Sequence, residues 1–260
     1  MKRTAPLLAS LSGLLALVLI STTQASHPSG EVEVLSAQQQ ALCAAPVGPV
    51  PAFRHLPGHG ATLRVVAMGS SSTYGAGASV RSRSFVSQFR GALKTVWAGP
   101  SEVINRGVSG NVLKNFIERA PHDIYALKPD VVILQTGTND VLHNVPVNVY
   151  RQQLQGLVNE LLKRHIEVVL VDNQFLPAQV NSAEYLGIQE ATHAVAQHNH
   201  LPLVSRYGLS ETLQTLSHVA ASDLIARDGL HPNDAMHTCT AKALSATFAR
   251  AMQATPQSSS

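Results

Sequence analysis

Charge is scarce in this 260-residue chain: Asp, Glu, Lys and Arg make up 13% of it, and the formal net charge is only +3. Two of the positive residues, Lys2 and Arg3, sit in a leader with no acidic residue, so the remainder carries 3 − 2 = +1. No basic stripe interrupts the rest, which excludes nucleic acid as a partner. Cysteine is almost missing, with only Cys43 and Cys239. Neither stands directly after the N-terminal apolar run, so a lipid-anchored cysteine is not expected there. That run, residues 7–20, is too short for a stable membrane span. A dinucleotide fingerprint is also lacking: Gly75-Ala76-Gly77 begins one, but Val80 stands where the third glycine belongs. No large apolar lid is evident, which argues against long-chain lipid substrates.

What is present is a large apolar fraction, 45%, which supports a substantial core and confines expected disorder to the ends. Residues 1–25 have the features of a secretory signal peptide: a positive start, an apolar middle, and Thr23-Gln24-Ala25 as a small-x-small cleavage site. Export to the periplasm or beyond is the expectation. Residues 26–60, rich in proline and glycine, read as an extended N-terminal arm. In an exported chain, Cys43 in that arm and Cys239 near the far end are expected to form a disulfide. Residues 255–260 read as a disordered tail.

Between the arm and the tail, over residues 61–254, short apolar runs alternate with amphipathic stretches. Strands are expected at 63–68, 103–105, 131–134, 167–171 and 203–204. Helices are expected at 84–97, from 113 with an interruption at Pro121, around 150–162, at 183–198, at 209–219 and from 234 to about 252. Strands separated by helices imply a parallel sheet covered on both faces. In such sheets the chemistry gathers outside the carboxyl ends of the strands.

The residues just after the strands fit that rule. The first strand runs into Gly69-Ser70-Ser71-Ser72, the second into Asn105-Arg106-Gly107-Val108-Ser109-Gly110, and the third into Gly137-Thr138-Asn139-Asp140. Gln174 and Phe175 follow the fourth and are candidates to line a substrate pocket. Asp228-Gly229-Leu230-His231 precedes the last helix. A serine hydroxyl needs a base to become a nucleophile, and the base needs a carboxylate to hold its tautomer. His231 and Asp228, three residues apart, could supply both to one of the serines. Backbone N–H groups at Ser71 and Gly110 and the Asn139 amide could hold an oxyanion. Twelve histidines are present, but His193, His198 and His200 read as solvated. No metal site and no cofactor is expected.

These four separated motifs, in this order, resemble the SGNH subgroup of the GDSL esterase and lipase family. The resemblance implies a flavodoxin-like three-layer α/β/α sandwich with a central five-stranded parallel sheet. It assigns Ser71 as nucleophile, Asp228 and His231 as acid and base, and Ser71, Gly110 and Asn139 as the oxyanion hole. The implied reaction is hydrolysis of a carboxylic ester, short-chain or carbohydrate-linked, through an acyl-enzyme. An acyltransferase or deacetylase working on an envelope polysaccharide would use the same residues, and a carbohydrate-binding derivative would retain them without turnover. One departure stands out. The family has Asp before its nucleophile and this chain has Ser70, so Ser70 and Ser72 compete with Ser71. A Gly-x-Ser-x-Gly elbow is missing because Thr73 occupies its last position, which argues against the α/β-hydrolase fold.

Overall fold

A computed structural model describes residues 34–45, 50–58 and 60–254. The expected signal peptide (1–25) and tail (255–260) lie outside them, as do residues 26–33, 46–49 and 59 of the arm. The strands are β1 (Leu63–Gly69), β2 (Ser101–Gly107), β3 (Val131–Gln135), β4 (Glu167–Val171) and β5 (Leu203–Val204). They form one parallel sheet in the order β2-β1-β3-β4-β5. The helices are α1 (Ala37–Ala44), α2 (Ser71–Tyr74), α3 (Phe85–Val96), α4 (Leu113–Asp123), α5 (Thr138–Leu142), α6 (Val147–Lys163), α7 (Ala183–His198), α8 (Arg206–Ser217) and α9 (Asp234–Gln253).

Period-two alternation along the strands divides the core in two. Val65, Ala67, Val131, Ile133, Val169 and Val171 face one way and meet Phe85, Phe89 and Leu93 of α3 and Leu244 and Phe248 of α9. Val66, Met68, Val132, Leu134, Val168 and Leu170 face the other way and meet α4, α6 and α7. Both faces are covered, so the inner strands are near-continuous apolar runs, as a buried parallel sheet requires, while the edge strand β2 carries Glu102, Asn105 and Arg106 and is only partly buried. The result is the three-layer α/β/α sandwich expected from the motif pattern. Its strand order reverses between β1 and β3, and a crevice opens at such a switch point.

Three local expectations change. The arm is not wholly extended. Residues 37–44 form α1, because Ser36 and Gln39 make a reciprocal capping box in front of a run of good helix formers. α1 packs on α9, where Cys43 and Cys239 form the disulfide across a sequence separation of 196 residues. Pro121 does not interrupt α4; it lies inside it, two residues before the end at Asp123, so the loss of its own N–H bond falls in the last turn. Finally, the turns after β1 and β3 are themselves short helices, α2 and α5, each entered at the point where the strand leaves the sheet.

Farther along the arm, Phe53 donates its N–H to Ala251 O, and its ring meets Phe248 edge-on. The N–H groups of Arg54 and His55 both donate to Glu167 Oε1 at the start of β4. This part of the arm therefore runs from α9 to the amino end of the sheet, opposite the motif-bearing loops.

Candidate active site

Gly69 lets α2 fold back over the end of β1. A Cβ there would lie 2.0 Å from Thr73 Oγ1 and 2.9 Å from Gln135 Oε1. Gln135, at the end of β3, accepts from the Ser70 N–H, the Ser70 hydroxyl and the Thr73 hydroxyl. Ser70 thus occupies the departing Asp position with its hydroxyl turned inward. The Ser72 hydroxyl is also buried and donates to Gln174 Oε1 at 3.1 Å. Of the three serines, Ser71 is the one brought to the imidazole: its Oγ lies 2.9 Å from His231 Nε2.

The other nitrogen of that imidazole, Nδ1, is 2.6 Å from Asp228 Oδ2. Asp228 Oδ1 accepts the N–H groups of Leu230 and His231, both at 2.9 Å. One carboxylate therefore shapes the loop with one oxygen and holds the ring with the other. This arrangement requires hydrogen on Nδ1 and leaves the Nε2 lone pair facing Ser71. Burial is the largest single influence on the Asp228 carboxyl and raises its pKa. The hydrogen bonds from His231 and Leu230 and the imidazole's charge outweigh it together, and the net pKa lies below the usual 3.8. Asp228 remains half exposed.

The loop after β2 is held from two sides. Arg119 of α4 donates to Asn111 Oδ1, to Arg106 O and to Asp123. Asp140, almost wholly buried, accepts from Leu113 N at 3.0 Å and Gly137 N at 3.3 Å. Gly110 sits exposed in this loop at φ +78. Asn139 Nδ2 donates to Asn111 O at 3.0 Å, which uses one of its two hydrogens. The loops carrying Gly110 and Asn139 are thereby tied to each other.

Gln174 and Phe175 lie beside the His231 loop. They line a cleft of about 270 Å³, solvent space included, together with Arg206, Leu224, Ile225 and Pro232. Ser71 and His231 are not among its walls, so this cleft backs the His231 loop. The Gln174 amide is already engaged: Oε1 accepts from Ser72 and Arg206, and Nε2 donates to Leu230 O. The Phe175 ring meets Tyr207 at a tilt of 43°, with ring centres 5.5 Å apart.

His193 is not simply solvated. Its Nε2 lies 2.9 Å from Oδ2 of the fully buried Asp172, which also accepts from Ser205 Oγ and Arg206 N. Arg206, Arg119 and Gln135 all brace the site, and sequence reasoning missed those roles. Arg206 opens a helix, Arg119 lies in the middle of one and Gln135 ends a strand, and none of the three belongs to a motif that would reveal its role.

A family model described as the non-GDSL lipase-like family matches residues 36–254. An acetylxylan esterase from Geobacillus stearothermophilus is 26% identical over 155 residues, which cover 54% of this chain and 69% of that protein. Among solved structures, a two-domain esterase active on acetylated mannans superposes with a TM-score of 0.64 at 24% identity, over 77% of this chain. The match covers 52% of that esterase, so this chain spans about half its length. The acetylxylan esterase Axe2 of Geobacillus stearothermophilus superposes at 0.62 and 22% identity, over 73% of this chain and 95% of that one. At these identities the structural likeness is one of fold.

Proposed function

Because this chain belongs to the non-GDSL lipase-like family and is by that kinship an SGNH/GDSL-like carboxylic ester hydrolase, we propose that it removes short acyl groups, acetyl above all, from a carbohydrate. The relatives' names, an acetylxylan esterase and an esterase active on acetylated mannans, support the sugar as the alcohol part. The observation that carries the chemistry is the unbroken chain from Asp228 through His231 to Ser71, with links of 2.6 and 2.9 Å.

In this reading Ser71 Oγ attacks the ester carbonyl carbon as its proton passes to His231 Nε2. The N–H groups of Ser71 and Gly110 and the remaining hydrogen of the Asn139 amide take the negative charge that develops on the carbonyl oxygen. The bond to the sugar oxygen then breaks, and the proton on Nε2 goes to that oxygen. The acyl-enzyme is hydrolysed by a water that His231 deprotonates, which releases the acid and restores the Ser71 hydroxyl. The ionised Asp228 keeps Nδ1 protonated and stabilises the imidazolium at each step.

Residues 61–254 would form the hydrolase domain, with 26–60 as its N-terminal arm. A periplasmic or secreted location is supported by the Cys43–Cys239 disulfide, which suits an oxidising compartment. Among the described residues no helix is long and apolar enough to cross a membrane.

The test is Ser71→Ala, assayed on p-nitrophenyl acetate and on acetylated xylan. Loss of at least about 10³-fold in kcat is expected for a nucleophile that acts as a unit with its base. Undiminished turnover of both esters by the folded variant would refute the proposal.

A further inference from the structure

Gln174 touches the chain neighbours of three residues assigned to the reaction: Ser71, His231 and Asn139. Its Oε1 accepts from Ser72, next to Ser71, and its Nε2 donates to Leu230 O, next to His231. Its backbone N–H donates to Thr138 Oγ1, next to Asn139, at 3.3 Å. Its carbonyl accepts from the Tyr185 hydroxyl, which ties residue 174 to α7. The side chain is 4% exposed.

We infer that Gln174 is the positioning residue that keeps nucleophile and base in register, and that Arg206 sets the direction of its amide. This rests on the proposed function above. A side-chain amide can turn over with no change of shape, so its orientation must be imposed by its partners. Here both ends impose the same one. Arg206 has only donors and places Nη1 3.4 Å from Oε1. Leu230 O is only an acceptor and faces Nε2. A reversed amide would set NH₂ against a guanidinium and oxygen against a carbonyl. Arg206 is itself fixed: it is 1% exposed, its Nε donates to Asp172 O, and its N–H donates to Asp172 Oδ1. The chain of fixation therefore runs from β4 through Arg206 and Gln174 into the loops of Ser71 and His231.

Gln174→Glu preserves the shape and replaces the donor facing Leu230 O with an acceptor. The repulsion displaces the His231 loop while the guanidinium keeps the new carboxylate charged. Gln174→Met preserves length and removes both ties. A misplacement on the order of 1 Å is worth up to about 10²-fold, so both variants are expected to lose about 10- to 100-fold in kcat. KM for p-nitrophenyl acetate stays within about twofold, since no substrate contact is removed. The ratio of Gln174→Glu to wild-type kcat should rise as the pH falls, because a protonated carboxyl again donates to Leu230 O; a merely structural residue would not show this.

If Gln174→Met does not fold, Ser72→Ala keeps the test open. It removes one tie, and it should lower kcat severalfold and cost nothing further in combination with Gln174→Glu. Folded Gln174 variants with wild-type kcat, or with raised KM alone, would overturn the inference, and the second result would return Gln174 to substrate contact. These outcomes are distinct from failure of the functional reading, which shows as activity surviving Ser71→Ala.

Discussion

Gly77 is the most economical place to test whether the position of His231 is built into the packing behind it. This glycine has φ +86, and a Cβ on it would lie 2.2 Å from Pro232 O and 2.7 Å from His231 Cβ. One of the two obstructing atoms is backbone, and the other is the root of the proposed base, so neither can swing aside as a flexible side-chain tip would. Restoring an ordinary carbon–oxygen contact of about 3.3 Å needs a displacement of roughly 1 Å. The left-handed backbone adds about 1–2 kcal/mol of strain for any L side chain. If the His231 loop yields, the 2.9 Å link to Ser71 opens, and kcat falls on the order of 10²-fold. The strain alone should lower the melting temperature by roughly 2–8 °C. The assay is kcat and KM of Gly77→Ala on p-nitrophenyl acetate, with calorimetry on the same sample. Gly156→Ala is the control: it lies in α6 with nothing within 4 Å of the added carbon. It should leave kcat unchanged and raise stability by about 0.5–1 kcal/mol. Wild-type kcat in Gly77→Ala would refute the claim that this contact holds the base in place.

Three further outcomes are expected. Asn139→Ala removes a proposed oxyanion donor and should lower kcat by about 10²–10³ with little change in KM; a loss confined to KM would contradict that role. Burial holds the His237 pKa down at about 4, against 6.5 for the free side chain. Its Nδ1 accepts from Phe85 N and its Nε2 faces Ala76 O, so the folded state needs the neutral ring. Unfolding therefore takes up a proton between pH 6.5 and about 4, and stability should fall as the pH drops through that window, by about 3 kcal/mol in all. Urea titrations at stepped pH check this, and a slope unchanged in a folded His237→Gln variant would refute it. Removing the disulfide with Cys43→Ala and Cys239→Ala together should cost about 5 kcal/mol by chain entropy. Calorimetry should then show a lower melting temperature while kcat of the folded variant is retained; an unchanged melting temperature would count against the cross-link as a stabiliser.

The sandwich was legible because its cause is local. Apolar runs such as 131–134, flanked by turn residues and separated by helical spacing, leave few ways to bury both faces of each strand except between two helical layers. The switch point follows from the strand order, and the polar residues at 69–72, 105–110, 137–140 and 228–231 announce the edge where loops meet. Local patterns also carried α3, α7 and α9, whose caps Ser84, Ser182 and Asn233 are bound to their own backbones. They carried the Asp228–His231 spacing as well, because a three-residue separation already permits the contact.

Long-range contacts decided the rest. The place of Ser71 two residues after Gly69 favoured it by resemblance, but local pattern could not say what occupies its neighbours; Gln135 at the end of β3 and Gln174 beyond β4 take the outer two hydroxyls and leave the middle one to His231. Gln174 looked like a pocket residue because it follows a strand, whereas its partners Ser72, Leu230 and Arg206 are 102, 56 and 32 residues away. Residue pattern reports what a segment can form by itself. It carries no record of which distant donor will meet a buried acceptor, and in this protein that meeting selects the serine that faces His231.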